Sequence, residues 1–228
     1  MPPESARTLR LAARALARHS LAHAYGHVSL RLDDGSFLVS PAQPLGAVTT
    51  SDPGVAAALD APLPAGALPE VRIHREIYRR RGDIGGICRF QSPAVMALSA
   101  LGRTPRTLHG LGAYFAPAPP FWPHTDLVRD DAAAEEVAGM MGDHAAIVLR
   151  GNGAVTAAGS LEAAASLAFF LEDAARTELA LLPATAAGIE PEIYTADEAA
   201  RRAITDGALF ERMWQYLCLG DPEWSPKS

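Results

Sequence analysis

Two pairs of short apolar runs are each folded back by a tight turn, and this restricts the chain more than any other feature. Near His27 to Leu32 and Ser36 to Ser40 the residues read as strands joined by Asp33-Asp34-Gly35, a turn signal of the Asp-Gly kind. Ala145 to Leu149 and Ala154 to Ala158 flank a second tight turn, Gly151-Asn152-Gly153. A further buried strand, Ile84 to Phe90, leads into Ser92-Pro93, which opens a helix with Val95, Met96, Leu98 and Leu101 inward. Other helical patterns run from Ser5 to His19, from Pro69 or Glu70 to about Arg81, and from roughly Asp131 to Met141. The longest starts at Ser160, a suitable N-cap, and continues to about Leu182; a last one covers Ala196 to Leu217. Pro41 to Pro69 reads as mostly loop, as does the aromatic and proline-rich stretch from Thr104 to Thr125. Hairpins interleaved with helices predict an α/β chain with a mixed or antiparallel sheet, which excludes a doubly wound dinucleotide fold.

With 228 residues, 49% of them hydrophobic, the chain is long enough to bury a full core. We expect one domain over residues 1–221 and a flexible tail over 222–228. A net charge of -6 with scattered basic residues argues against a nucleic-acid surface. The run Arg79-Arg80-Arg81 fits the C-terminal end of a helix, where cations meet the negative pole of the dipole. Cys88 and Cys218 make neither a disulfide framework nor a zinc-type pair. No leader pattern or membrane-length apolar run is seen, so a cytoplasmic protein without membrane contact is expected. Dinucleotide, phosphate-loop and nucleophile-elbow glycine motifs are missing, as are internal repeats.

Several ordered blocks resemble the class II aldolase/adducin family. Gly26-His27-Val28-Ser29-Leu30-Arg31 followed by Phe37-Leu38-Val39-Ser40-Pro41 is similar to its Gly-Asn/His-x-Ser-x-Arg and Phe-Leu-x-Ser/Thr-Pro. Glu70 to Tyr78 resembles its Glu-x-x-x-His-x-x-Ile-Tyr helix. Leu149-Arg150-Gly151-Asn152-Gly153, then Gly159-Ser160-Leu161-Glu162, is similar to its Leu-Arg-Asn/Gly-His-Gly and the Gly-x-Ser/Thr-Leu-Glu that follows. The blocks span about residues 5 to 185. The resemblance implies a three-layer α/β/α sandwich around a mostly antiparallel central sheet, commonly a homotetramer with sites at subunit boundaries. It also implies chemistry on a divalent metal held by three histidines, two in His-x-His-Ser-Pro and one in Asn-His-Gly. Here those positions read Arg89, Gln91 and Asn152.

Aldol cleavage and the related decarboxylations both generate an enolate or equivalent carbanion, whose charge the metal stabilises. Arginine cannot ligate, and Gln and Asn offer only weak carbonyl donors, so the pattern predicts neither metal nor cofactor. Arg89 instead sets a permanent cation where the metal charge would stand, suited to a carboxylate or enolate. Glu70 matches the family's acid/base carboxylate and is expected to pair with Arg89 unless substrate intervenes. His27, Ser29, Ser40, Gln91 and Asn152 are the expected substrate-binding residues. Histidine at position 27 resembles members that act on unphosphorylated carboxylates, including aromatic decarboxylases. The resemblance also implies a second proton donor from a neighbouring subunit, for which Tyr114 and His124 are the candidates.

Each residue also has a plainer reading. Arg89 and Glu70 can be a structural ion pair. His27 can be a hydrogen-bonder at a strand start, and His74 reads as structural within its helix. His109 lies in the aromatic loop, whereas His19, His23 and His144 read as surface or helix-end residues. Tyr114, Phe115, Phe121 and Trp122 fit an apolar pocket or a subunit interface equally well. Trp214 and Tyr216 fit a pocket cover or packing on a neighbour. Three function classes follow. The first is a metal-independent lyase for a small carboxylate, with cyclisation or isomerisation as its variant. The second is an adducin-like binding or scaffold protein. The third is an enzyme whose metal ligands have moved to His27, His109 or His124.

Overall fold

The computed structural model describes residues 3–225. Helix α1 (Pro3–Arg18) is followed by strands β1 (His27–Asp33), β2 (Ser36–Val39) and β3 (Val55–Ala58). A short 3₁₀ turn, Pro69–Val71, leads into α2 (Arg72–Arg80), then β4 (Gly86–Phe90) and α3 (Pro93–Ala100). The middle of the chain holds β5 (Phe121–Trp122), α4 (Asp131–Met141), β6 (Ala146–Leu149) and β7 (Ala154–Ala158). Helices α5 (Leu161–Ala186), α6 (Ala196–Arg202) and α7 (Leu209–Cys218) complete it.

The seven strands form one sheet in the order β3-β2-β1-β4-β7-β6-β5. Every neighbouring pair is antiparallel except β5 with β6. Strand alternation divides the core in two. On one face Val28, Leu38, Cys88, Phe90 and Val148 pack against α1, α3, α5 and α7. On the other, Phe37, Val39, Ile87, Ile147 and Val155 pack against α2 and α4. The result is the expected α/β/α sandwich. Burial drives both free thiols upward, Cys218 to about 12, so neither is a reactive nucleophile.

The structure departs from the sequence reading in several places. Residues 41–69 contain β3, which pairs with β2 from Ser36↔Ala58 to Val39↔Val55. The last helical pattern is two helices, because Gly207 (φ 70°) and Ala208 (φ 56°) are both left-handed and break it. Leu101 lies beyond α3 and is exposed. The expected tail is docked as far as Trp224, which meets Trp214 edge to face, while residues 226–228 lie outside the described region. Arg10 pairs with Glu223 at 2.6 Å, and Arg14 with both Asp221 and Glu223 at 2.7 Å.

That clasp should be sensitive to acid. Burial opposes ionisation of Asp221, but hydrogen bonds from Arg14 and the Glu223 N–H outweigh it and hold the carboxyl below its ordinary value. Hydrogen bonding from Arg10 does the same at Glu223. Both folded-state values lie below the unfolded ones, so the contribution is complete above the ordinary carboxylate range and lost as pH falls through the depressed values. Arg14→Ala should therefore lower the melting temperature near pH 7 and narrow its gap to the unaltered protein as pH falls below the ordinary carboxylate range. Thermal denaturation across that range checks this; a constant gap would contradict it.

Candidate active site

The α2 face of the sheet carries a cluster of polar side chains. On β1 the alternation that sends Val28 and Leu30 into one core sends His27 and Ser29 to the other face. His27 pairs directly across the strands with Arg89 of β4. Gly26 adopts φ 142°, and a Cβ there would lie 2.9 Å from the Arg89 carbonyl oxygen, so glycine permits this close approach. Gly153 (φ 79°) plays the same part at the β6–β7 turn, where a Cβ would run into the Phe90 carbonyl. This brings Asn152 beside Gln91, whose amide donates to the Asn152 Oδ1 at 2.5 Å.

Opposite these strands, the turn before α2 presents Glu70. Its Oε2 lies 3.3 Å from the Arg89 guanidinium, whose side chain is 1% exposed against 18% for Glu70. Burial pushes Arg89 below the ordinary guanidinium value, and Glu70 opposes the shift. One turn along, His74 meets His27 at 2.9 Å and Ser29 at 2.6 Å, and Ser29 meets Tyr78 at 2.9 Å. Burial, then repulsion from His74 and Arg89, holds the His27 pKa well below its ordinary value. Burial and Arg89 push His74 down to about 3, so both imidazoles are neutral near pH 7. Arg31 donates to the Ile84, Tyr78 and Arg81 carbonyls and ties the end of α2 to the strand that follows.

A cavity of about 570 Å³ opens over this cluster, lined among others by His27, Glu70, Gln91, Asn152, Gln43 and Arg129. Three polar atoms of its lining residues are buried without a hydrogen-bond partner among the described residues, His27 Nε2, Glu70 Oε1 and Asn152 Nδ2, and behind the lining Arg89 leaves its Nε unpaired as well. Buried polar groups in folded proteins are seldom unpaired, so their concentration around one cavity makes it the candidate binding site.

Other candidates lie elsewhere. Ser29 and Ser40 are fully engaged in the interior: Ser29 bonds His74 and Tyr78, and Ser40 accepts from the Val28 N–H. Neither lines the cavity. Tyr114 donates to the Ile204 carbonyl and packs on Phe170 and Phe210, away from the cavity of its own chain. His124 stacks edge-on against Trp122 and faces Glu136 at 3.4 Å; His109 accepts from the Leu111 N–H. Phe115 and Trp122 are core residues, so neither contributes to an aromatic pocket, one of the two readings open for them. Trp214 and Tyr216 pack around α7, on Trp224 and on His19 and Phe169. Sequence reasoning missed Arg129 and Gln43, which sit in loops. His74, read as structural, is fully buried and bonded to His27 and Ser29; Glu70, His74 and Tyr78 recur at intervals of four, the signal of one helix face.

The profile described as Class II Aldolase and Adducin N-terminal domain matches residues 7–179. The chain belongs to the class II aldolase/adducin family. Within the family it is 31% identical over 210 residues to a 3,4-dihydroxyphthalate decarboxylase of Arthrobacter keyseri, covering 84% of this chain and 83% of that one. Identity to the enzyme of the same name from Terrabacter sp. (strain DBF63) is 30% over 210 residues, covering 83% and 85%. The fold is shared with L-fuculose 1-phosphate aldolase from Glaciozyma antarctica PI12, at a TM-score of 0.77, 20% identity and coverage of 94% and 88%.

The class II aldolase resemblance implies a divalent cation at the positions of Arg89, Gln91 and Asn152, and the residues there do not fit one. Arg89 is a buried cation with no lone pair to offer, and the Asn152 carbonyl is already taken by Gln91. His27, His109 and His124 do not converge, and among the described residues no group of three or more His, Cys, Asp or Glu could hold a metal.

Proposed function

We propose that this family member is a carbon–carbon lyase of the decarboxylating kind. In this reading it acts on a small, unphosphorylated carboxylate and uses Arg89 in place of a Lewis-acid metal. The observation that carries the reading is the pair of buried Arg89 with part-buried Glu70, beside a cavity where His27, Glu70 and Asn152 leave polar atoms unpartnered. The two relatives named as 3,4-dihydroxyphthalate decarboxylases favour loss of carbon dioxide over aldol cleavage, and suggest a hydroxylated aromatic dicarboxylate as substrate.

In this account substrate enters as an anion and competes with Glu70 for the Arg89 guanidinium. The bond from carbon to the departing carboxyl breaks, and its electron pair stays on the ring carbon, spread toward an adjacent oxygen. Arg89, with the free Asn152 Nδ2–H, stabilises that charge in a poorly solvated site, where fixed donors act most strongly. Glu70, released from Arg89 as a carboxylate, takes up a proton from solvent, delivers it to the carbon and so returns to the carboxylate that pairs with Arg89. The net change consumes one carboxylate and one proton, and yields carbon dioxide and the decarboxylated product. The exposed Tyr25 and Leu127 at the cavity edge fit a homotetramer in which a neighbouring copy closes the site and supplies His124 as a second proton donor.

Arg129 lines the cavity and supplies a second cation for the other carboxylate. Arg129→Ala should raise KM for 3,4-dihydroxyphthalate about tenfold while leaving kcat within about threefold, as expected when a contact binds ground and transition states alike. Carbon dioxide release from that compound by the chelator-treated protein measures both values. Release that requires added metal would overturn the mechanism. No release from this or related hydroxylated aromatic carboxylates, with all cavity variants equally inert, would favour a binding or scaffold role.

A further inference from the structure

Four side chains form an unbroken hydrogen-bonded row from the cavity wall into the core. His27 Nδ1 meets His74 Nε2 at 2.9 Å, His74 Nδ1 meets Ser29 Oγ at 2.6 Å, and Ser29 Oγ meets the Tyr78 hydroxyl at 2.9 Å. None of these residues is more than 2% exposed. With both imidazoles neutral, the bond between His74 and His27 can run in only two directions. In the first, Tyr78 donates to Ser29, Ser29 to His74 Nδ1, and His74 Nε2–H to His27 Nδ1. The remaining proton then sits on His27 Nε2, at the cavity. In the second His27 donates to His74 and His74 to Ser29, whose oxygen then either donates to Tyr78 or accepts from it too; either way the proton of one of the two hydroxyls finds no acceptor among the described residues, while His27 shows the cavity a bare lone pair.

The two arrangements differ in what they strand. The first leaves one unpaired group, the His27 Nε2–H, at the place where a ligand would meet it. The second leaves that nitrogen unpaired and also a buried hydroxyl proton deep in the α2 core. An unmade hydrogen bond in the interior shifts such an equilibrium by at least about fivefold. The first arrangement therefore prevails. The Arg89 guanidinium, directly across the strands from His27, further disfavours a second proton on that ring.

We infer that His27 acts as a neutral hydrogen-bond donor, through Nε2–H, to an anionic oxygen of the substrate, and that His74, Ser29 and Tyr78 are positioning residues that hold its proton there. His27 is thereby excluded as the general base, which leaves proton transfer to Glu70. The identity of the anion rests on the lyase reading; the location of the proton does not.

Long-range proton–nitrogen correlation of the full chain with labelled histidines, assigned by loss of the signal in His27→Gln, tests this near pH 7. The expected spectrum shows one His27 tautomer with hydrogen on Nε2, and its proton resonance moves downfield when phthalate, used as the probe, saturates the protein. Ser29→Ala removes the hydroxyl that orders the row and should bring the Nδ1–H form of His27 to a comparable population. Hydrogen on Nδ1 in the unaltered protein would overturn the inference. So would an Nε2–H resonance that stays in place while bound phthalate raises the melting temperature. The tautomer is read without ligand, so it decides the location of the proton even if Ser29→Ala does not fold. Failure of phthalate to bind would count instead against the lyase reading.

Discussion

Arg89→Met will lower kcat/KM for decarboxylation at least about a thousandfold, with kcat falling by nearly the same factor, because the lost interaction belongs to the charge that develops during the reaction. A cation that merely fills a pocket would behave differently. Its removal would leave Glu70 Oε2 without its 3.3 Å partner, at a cost in stability but not in the chemical step. Glu70 is 18% exposed at its side chain, so water relieves part of that loss, and about 1–3 kcal/mol of destabilisation is expected. Adding Glu70→Gln to Arg89→Met should restore most of this stability, since both charges are then gone. Activity should not return. Steady-state kinetics and thermal unfolding of the two variants separate the roles, and recovery of both quantities together would make the pair purely structural.

The second large effect is expected from Glu70→Gln alone. The amide keeps the shape and a carbonyl toward Arg89 but cannot deliver a proton, so kcat should fall about 10²- to 10⁴-fold. KM should change little, or fall, because substrate no longer competes with a charged side chain for the guanidinium. Carbon dioxide release at saturating substrate measures the first quantity, and a kcat within threefold of the unaltered protein would remove Glu70 from the proton-transfer step.

Much of the architecture could be read from local signals, because the sheet is built from hairpins whose turns are written in the chain. Asp33-Asp34-Gly35 and Gly151-Asn152-Gly153 both lie where antiparallel neighbours join. Strand β3 escaped because Val55-Ala56-Ala57-Ala58 lacks polar alternation and alanine has little strand preference. The break between α6 and α7 was signalled by Asp206-Gly207, but the apolar spacing on either side masked it. At the site, His27, Glu70, Gln91 and Asn152 were legible since each sits at a strand end, turn or helix start within a recognisable block. Arg129 was not, because it lies in a loop whose path depends on tertiary packing rather than on periodicity. Ser29 and Ser40 were assigned to substrate because a serine in a motif does not reveal which way its hydroxyl is spent. Here the interior takes both.

Elemental analysis tests the central claim most directly. The tag-free protein is incubated with manganese, zinc and ferrous iron, freed of unbound ions and assayed for metal. With Arg89 buried behind the cavity wall the account predicts less than about a tenth of an equivalent per chain, since tight binding needs several convergent deprotonated or neutral ligands, and among the described residues no group of three or more His, Cys, Asp or Glu could hold a metal. Metal retained near one equivalent per chain would contradict it and would return the chemistry to a Lewis acid held by ligands other than Arg89, Gln91 and Asn152.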